Sequence, residues 1–236
     1  MDKKYAEFII NQTIKNYNKI AQDYTRTRSY LPEDIKKLSE YIQEGDKILD
    51  SGCANGRLAE ALKNKKIDYY GIDSSEKLIK IAQEKYKNYS NITFQKANAL
   101  ELPFTDNFFD KVYSIAVIHH IPTEEFRLKY LQEIFRVLKP KGLLILRVWN
   151  LWKRKTGLKL ILKYSFLKII GKSNLDFKDI FLPWKDNQGN ILINRYLHCF
   201  TKKEIIFLAK KTGFKIKNCW EAGKGVKANI YLIAEK

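Results

Sequence analysis

The chain has 236 residues, with 44 Lys plus Arg against 26 Asp plus Glu, for a formal net charge of +18 at pH 7. Hydrophobic residues make up 45% and aromatics 13%, enough apolar material for a real core, which excludes a disordered chain. No run of roughly 18 uncharged apolar residues occurs, so a membrane-spanning helix is excluded, and the opening MDKKYAEFIINQ is too interrupted by charge for a signal peptide.

Cys53, Cys199 and Cys219 lie far apart with no CxxC pair, so neither a disulfide framework nor a zinc site is expected, and a reducing cytoplasm is the expected location. The basic residues comprise 36 Lys and only 8 Arg, a bias that codon composition alone can produce. Where the charge sits therefore says more than its sum.

In chain order, apolar residues at helical spacing over 3–20 (Tyr5, Phe8, Ile9, Ile14, Tyr17, Ile20) predict a leading helix. A turn-like stretch, DYTRTRSYLPED, precedes a second helix ending at Tyr41. The period then changes. A short buried strand, KILD, runs into the glycine turn SGCANG, and residues 57–63 read as helix. The alternation continues with strand 67–72, helix 75–88, strands 92–96 and 110–116, helix 124–138 and strand 142–149. Strands separated by helical segments specify βαβ units, so the fold class is α/β, Rossmann-like, with a mostly parallel central sheet and helices on both faces. The last third differs: a basic apolar stretch (151–172), a loop (173–195), helix 201–212, and strands 214–220 and 228–234 predicted to pair as an antiparallel hairpin. One domain covers 1–236, with an N-terminal helical cap (1–44), a cofactor-binding core (45–150), a basic substrate-side insert (151–200) and a C-terminal helix and hairpin (201–236).

Ligands of open α/β sheets bind beyond the carboxyl ends of the strands, which is where the glycine turn falls. Its glycines, Gly52 and Gly56, do not make GxGxxG, so a dinucleotide pyrophosphate is not the expected ligand. Asp50 and Asp73 end the first two strands. An acid at each end suits a ligand with a cationic group and a ribose: Asp50 faces the amino end and Asp73 the ribose hydroxyls. S-adenosylmethionine fits that description.

The stretches ILDSGCANG, GIDSS, ANALELPFTDNFFDKVYSIAVIHHI and LKPKGLLIL resemble the successive motifs of class I S-adenosylmethionine-dependent methyltransferases across roughly 45–150. The resemblance implies a cofactor site of Asp50, Gly52, Cys53, Ala54, Gly56, Asp73, Ser74, Asn98, Ala99, Leu100 and Ile115. Two departures are mild: Ala54 stands where the family commonly has Gly, and Asn98 where it has an acid. Over nearly the whole chain, YTRTR, SIAVIHH and LPWKDNQGNILINRYLHCF are similar to the tRNA wobble-uridine carboxyl methyltransferases, which include a domain of the AlkB-homologue tRNA enzymes. That similarity implies methyl esterification of 5-carboxymethyluridine. It assigns Arg28 and Arg195 as a carboxylate clamp, with His119 or His120 near the transfer centre. As partners it implies tRNA, held by its anticodon arm. It leaves open a small zinc-binding activator subunit, which family members use to cover an apolar sheet edge.

Other readings stand beside these. The same fold serves small-molecule methyltransferases of quinones, lipids or carboxylic acids, and a noncatalytic RNA-binding protein would retain it too. His198 reads as a core histidine, Arg26 as solvated and Asp110 as a strand-start stabiliser. Trp149, Trp152 and Trp184 read as packing residues, with Trp184 also placed to stack on a base. Residues 151–180 carry 8 basic and 2 acidic side chains. They read as a lid helix packing Leu158, Leu162, Phe166 and Ile169 on the domain, as a grip on tRNA phosphates, or as a membrane-surface helix, with no stable insertion expected.

Overall fold

A computed structural model describes residues 1–28 and 30–236. Side-chain caps set the helix starts, each relieving a free backbone N–H. Asp2 accepts from Tyr5 N–H at 2.9 Å ahead of α1 (Lys3–Lys19), and α2 (Ala21–Thr27) and α3 (Glu33–Leu38) follow. The core then alternates: β1 (Lys47–Ser51), α4 (Arg57–Leu62), β2 (Asp68–Asp73), α5 (Glu76–Tyr86), β3 (Ile92–Lys96), β4 (Phe109–Ile115), α6 (Glu124–Val137) and β5 (Leu138–Trp149). The remainder comprises α7 (Lys155–Ile169), β6 (Asp179–Lys185), β7 (Ile191–His198), α8 (Lys202–Thr212), β8 (Lys215–Ala222) and β9 (Asn229–Glu235).

The seven-stranded sheet runs β3-β2-β1-β4-β5-β9-β8, with the first five strands parallel and β9 antiparallel to both its neighbours. The expected C-terminal pair is present at that edge. Strand alternation divides the core into two layers. Leu49, Val112, Leu144 and Leu232 pack against α6 and α8, while Ile48, Tyr69, Tyr113 and Ile233 pack against α3, α4 and α5. Among the described residues no helix is long and apolar enough to cross a membrane.

Three expectations are corrected. The stretch 173–195 is not a loop: β6 and most of β7 lie in it and form a separate two-stranded antiparallel sheet. Pro183 sits inside β6 opposite Asn194, and proline, which removes a ladder donor, is tolerated there because every strand of a two-stranded sheet is an edge. The first part of DYTRTRSYLPED is helical, as the end of α2; Ser29, within that stretch, lies outside the described residues. The apolar stripe of α7 does not pack on the domain. Leu158, Leu162, Phe166 and Ile169 are 43%, 63%, 61% and 73% exposed, and the helix instead buries Gly157 and Ile161. This orientation requires glycine at 157, because a Cβ there would sit 2.2 Å from Leu151 O.

The β6–β7 hairpin lies against α1, where the buried Asn16 donates from Nδ2 to Asn194 O at 3.0 Å. Replacing Asn16 with Ala leaves that carbonyl short of a partner. A loss of about 1–2 kcal/mol is expected, read as a lower denaturant midpoint at unchanged slope.

Candidate active site

The end of β1 leads into the glycine turn, and both Gly52 (φ +82°) and Ala54 (φ +51°) adopt the left-handed region. A Cβ on Gly52 would meet Val117 Cγ2 at 2.4 Å, so only glycine fits there. At Ala54 the left-handed backbone gives the physical reason the resembling family favours glycine. The turn is tied to β2: Gly52 and Cys53 N–H donate to Ile72 O at 2.8 and 2.9 Å, and Ala54 N–H donates to Asp73 Oδ2 at 3.0 Å. Asp73 Oδ1 accepts from Ser75 N–H at 2.8 Å. The carboxylate is thereby fixed at the cavity wall with acceptor capacity left on each oxygen.

A cavity of about 870 Å³ opens over these strand ends, its far wall formed by α1, α2, the β6–β7 hairpin and the end of β5. Aromatic rings and guanidinium groups alternate along that wall. Arg154 lies 5.0 Å from the centre of the Trp149 ring, and Arg195 lies 5.2 Å from it. Arg195 also stands 4.9 Å from the Trp184 ring, which carries Arg28 at 5.0 Å. Trp184 is fixed by Nε1 donating to Asp23 Oδ2 at 2.6 Å. Arg147, nearby, is neutralised by Asp34 at 2.7 Å. Arg28, Arg154 and Arg195 have no such carboxylate among the described residues, and the Nε atoms of Arg154 and Arg195 are buried without a partner. Burial lowers the pKa of Arg195, and the charge of Arg28 adds to the effect. A guanidinium remains cationic regardless, so the wall presents positive charge to the cavity.

His120 closes the cavity beside this ladder. Its Nδ1 lies 2.9 Å from Tyr196 O, a carbonyl that only accepts, so Nδ1 carries the proton. Nε2 then accepts from the Tyr17 hydroxyl at 3.0 Å. Burial, reinforced by the Arg195 charge, pushes the His120 pKa down to about 4 and the imidazole is neutral near pH 7.

Arg28, Arg195, His120, Gly52, Ala54, Asp73, Ser74, Asn98, Ala99, Leu100 and Ile115 all line the cavity. Four expected residues do not. His119 is fully buried behind its neighbour, against the Trp149 ring at 5.0 Å, with neither ring nitrogen partnered. Asp50 lies beneath the turn, where the Tyr69 hydroxyl donates to Oδ2 at 2.6 Å and burial pushes its pKa up to about 7. Cys53 is buried, its thiol raised well above the usual range by burial. Gly56 starts α4 with φ +76°, where a Cβ would strike Phe94 at 2.8 Å. Those residues shape the turn from below. Asn98, on the cavity lining, accepts from Leu100 N–H at 3.0 Å through Oδ1, and its amide oxygen has a second lone pair. His198, outside the cavity, bridges Asp179 and Glu204 at 2.6 Å each, consistent with a core role. Sequence reading missed Tyr17 and Arg154, and took Trp149 for packing alone.

The family model described as a methyltransferase domain matches residues 49–146. Over 254 aligned residues and all of both chains, the sequence is 28% identical to a tRNA (carboxymethyluridine(34)-5-O)-methyltransferase of Schizosaccharomyces pombe. It is 33% identical over 158 residues to the protein of that description from Arabidopsis thaliana, covering 67% of this chain and 36% of that relative. A solved S-adenosylmethionine-dependent methyltransferase from Methanosarcina mazei superposes with a TM-score of 0.71 at 26% identity, over 85% of this chain and 96% of that one. This chain carries a methyltransferase domain and has the fold of an S-adenosylmethionine-dependent methyltransferase.

The turn fits that cofactor on its own geometry. Gly52 and Ala54 bring bare backbone to the cavity, where the Asp73 carboxylate would accept from a ribose and Leu100 and Ile115 would give apolar contact to a purine. Asp73→Asn is expected to weaken S-adenosylhomocysteine binding at least about tenfold by calorimetry, with the melting transition retained.

The neutral His120 also has a consequence for stability. From about pH 6.5 down to about 4 the unfolded protein takes up a proton at this position that the folded one refuses, so the His120 contribution to stability falls as pH falls through that window. His120→Gln is expected to flatten that part of the pH–stability curve, measured by denaturant unfolding at each pH; an unaltered curve contradicts the assignment.

Proposed function

We propose that this methyltransferase esterifies the carboxylate of 5-carboxymethyluridine at the wobble position of tRNA, in the cytoplasm. The observation that carries the reading is the Arg195 guanidinium, 8% exposed, sandwiched between Trp149 and Trp184 with no carboxylate of its own. An anionic substrate supplies that missing charge. The names of the relatives from S. pombe and A. thaliana point to the same substrate.

The electrostatics of the cavity suit a carboxylate nucleophile. A carboxyl group has a pKa near 4 in water and is ionised at pH 7, so no general base is required. His120 offers none beside the arginines: its Nε2 lone pair is occupied by the Tyr17 hydroxyl, whose own pKa burial pushes up to about 12. When bound, S-adenosylmethionine supplies an electrophilic methyl group. The rest is positioning. Arg195 and Arg28 orient the carboxylate, leaving one oxygen free to attack. His120 and Tyr17 hold the wall rigid, and α1 with the hairpin excludes water. Trp184, buried with Tyr24 stacked on it and both arginines at its ring, braces the clamp. The small zinc-binding activator remains part of this reading, with the outer strands β3 and β8 as the sheet edges available to it.

The test uses tRNA lacking the ester and cofactor labelled in its methyl group. The incorporated label should leave as volatile methanol under mild alkali, as a methyl ester does, whereas alkali-resistant label contradicts the reading. Arg195→Ala and Arg28→Ala should each lower turnover at least about 100-fold while S-adenosylhomocysteine affinity stays within about threefold. A parallel loss of cofactor affinity would place these arginines outside the substrate site.

A further inference from the structure

Three unneutralised guanidiniums are more than one carboxylate needs, and the third has its own surroundings. Arg154 is held by neutral acceptors only: its Nη2 donates to Ala228 O at 2.9 Å and approaches Asn229 Oδ1 at 3.4 Å. Its Nε is buried without a partner. Burial and the charges of Arg147 and Arg195 depress its pKa to about 10. It immediately precedes α7, whose first turn has no acidic residue and no side-chain cap, and Lys227 lies on the same cavity lining. The Trp149 ring lies between the two cations' reach, so Arg154 and Arg195 stand within about 10 Å of each other.

A uridine within an RNA strand carries a phosphodiester on each side, always anionic, and a guanidinium pairs with phosphate through two parallel N–H donors. We infer that Arg154 binds a backbone phosphate flanking the target nucleotide. The site thereby distinguishes a strand-embedded nucleotide from a free nucleoside. This rests on the wobble-uridine reading for the identity of the base, but the phosphate contact itself does not depend on the carboxymethyl group. Arg195 and Arg28 share Trp184 and serve the carboxylate; Arg154, one indole further along, serves the chain.

Arg154→Gln and Arg154→Lys in the full chain test this with two readouts. In the first, an unmodified anticodon stem-loop RNA is bound over a salt series. Arg154→Gln should reduce the slope of log affinity against log salt by about one, and Arg154→Lys, which keeps the charge, should restore it. In the second, kcat/KM is compared on a carboxymethyluridine stem-loop and on the free 5-carboxymethyluridine nucleoside. Arg154→Gln should lower the stem-loop value at least tenfold more than the nucleoside value, through KM. An unchanged salt slope, or equal losses on both substrates, overturns the inference. Because the binding arm uses RNA without the carboxymethyl group, it reports on Arg154 even if the methyltransferase esterifies neither substrate, a result that would overturn the wobble-ester reading alone.

Discussion

Burying a cation without a counter-charge costs several kcal/mol, and the cavity wall does this at Arg195. Two indole faces lessen the cost, since each attracts a cation through its ring quadrupole. They do not supply hydrogen-bond acceptors, so the Nε proton stays unsatisfied and the wall is poised for an anion. Trp184 must be held by Asp23 for that sandwich to form, and Asp23 in turn belongs to α2. The N-terminal helices, the β6–β7 hairpin and the end of β5 are thus assembled around one charge.

The opposite wall is built by different physics. There the parallel sheet aligns the ends of β1 and β2, and the glycine turn is pinned to β2 through Ile72 O and the Asp73 carboxylate. That half presents backbone and acceptors to a nucleoside, whereas the arginine half presents donors to an anion. His120 sits between them as a neutral spacer with both ring nitrogens engaged. The chemistry that suits such an arrangement is displacement by a nucleophile already ionised, since the one imidazole beside the arginines has both ring nitrogens engaged.

Much of the cofactor half was legible in the sequence because its determinants are local. Strand–turn–helix periodicity located β1, the turn and Asp73 within a residue or two of where they stand. The arginine half was legible only where resemblance reached, at Arg28 and Arg195. Its partners, Trp149 and Trp184, come from β5 and from a hairpin expected to be loop, and no spacing rule links positions so far apart. Arg154 carried one available signal, the scarcity of arginine in a lysine-rich chain, which also marked Arg28 and Arg195. The tandem histidines show the converse limit: sequence places both in one turn, but only packing decides that His120 faces the cavity and His119 the core. Of the three readings of α7, the packed lid fails, since its more apolar stripe is exposed while Gly157 and Ile161 face inward.

The claim on which the account depends is that the arginine wall binds negative charge. It is tested most directly by comparing two uridines of nearly equal shape in the presence of S-adenosylhomocysteine: 5-carboxymethyluridine, which is anionic, and 5-carbamoylmethyluridine, its neutral amide. Calorimetry at pH 7 and low salt should show the carboxylate binding at least about 100-fold more tightly, the equivalent of about 2.7 kcal/mol. Equal affinity for the acid and the amide would contradict the account.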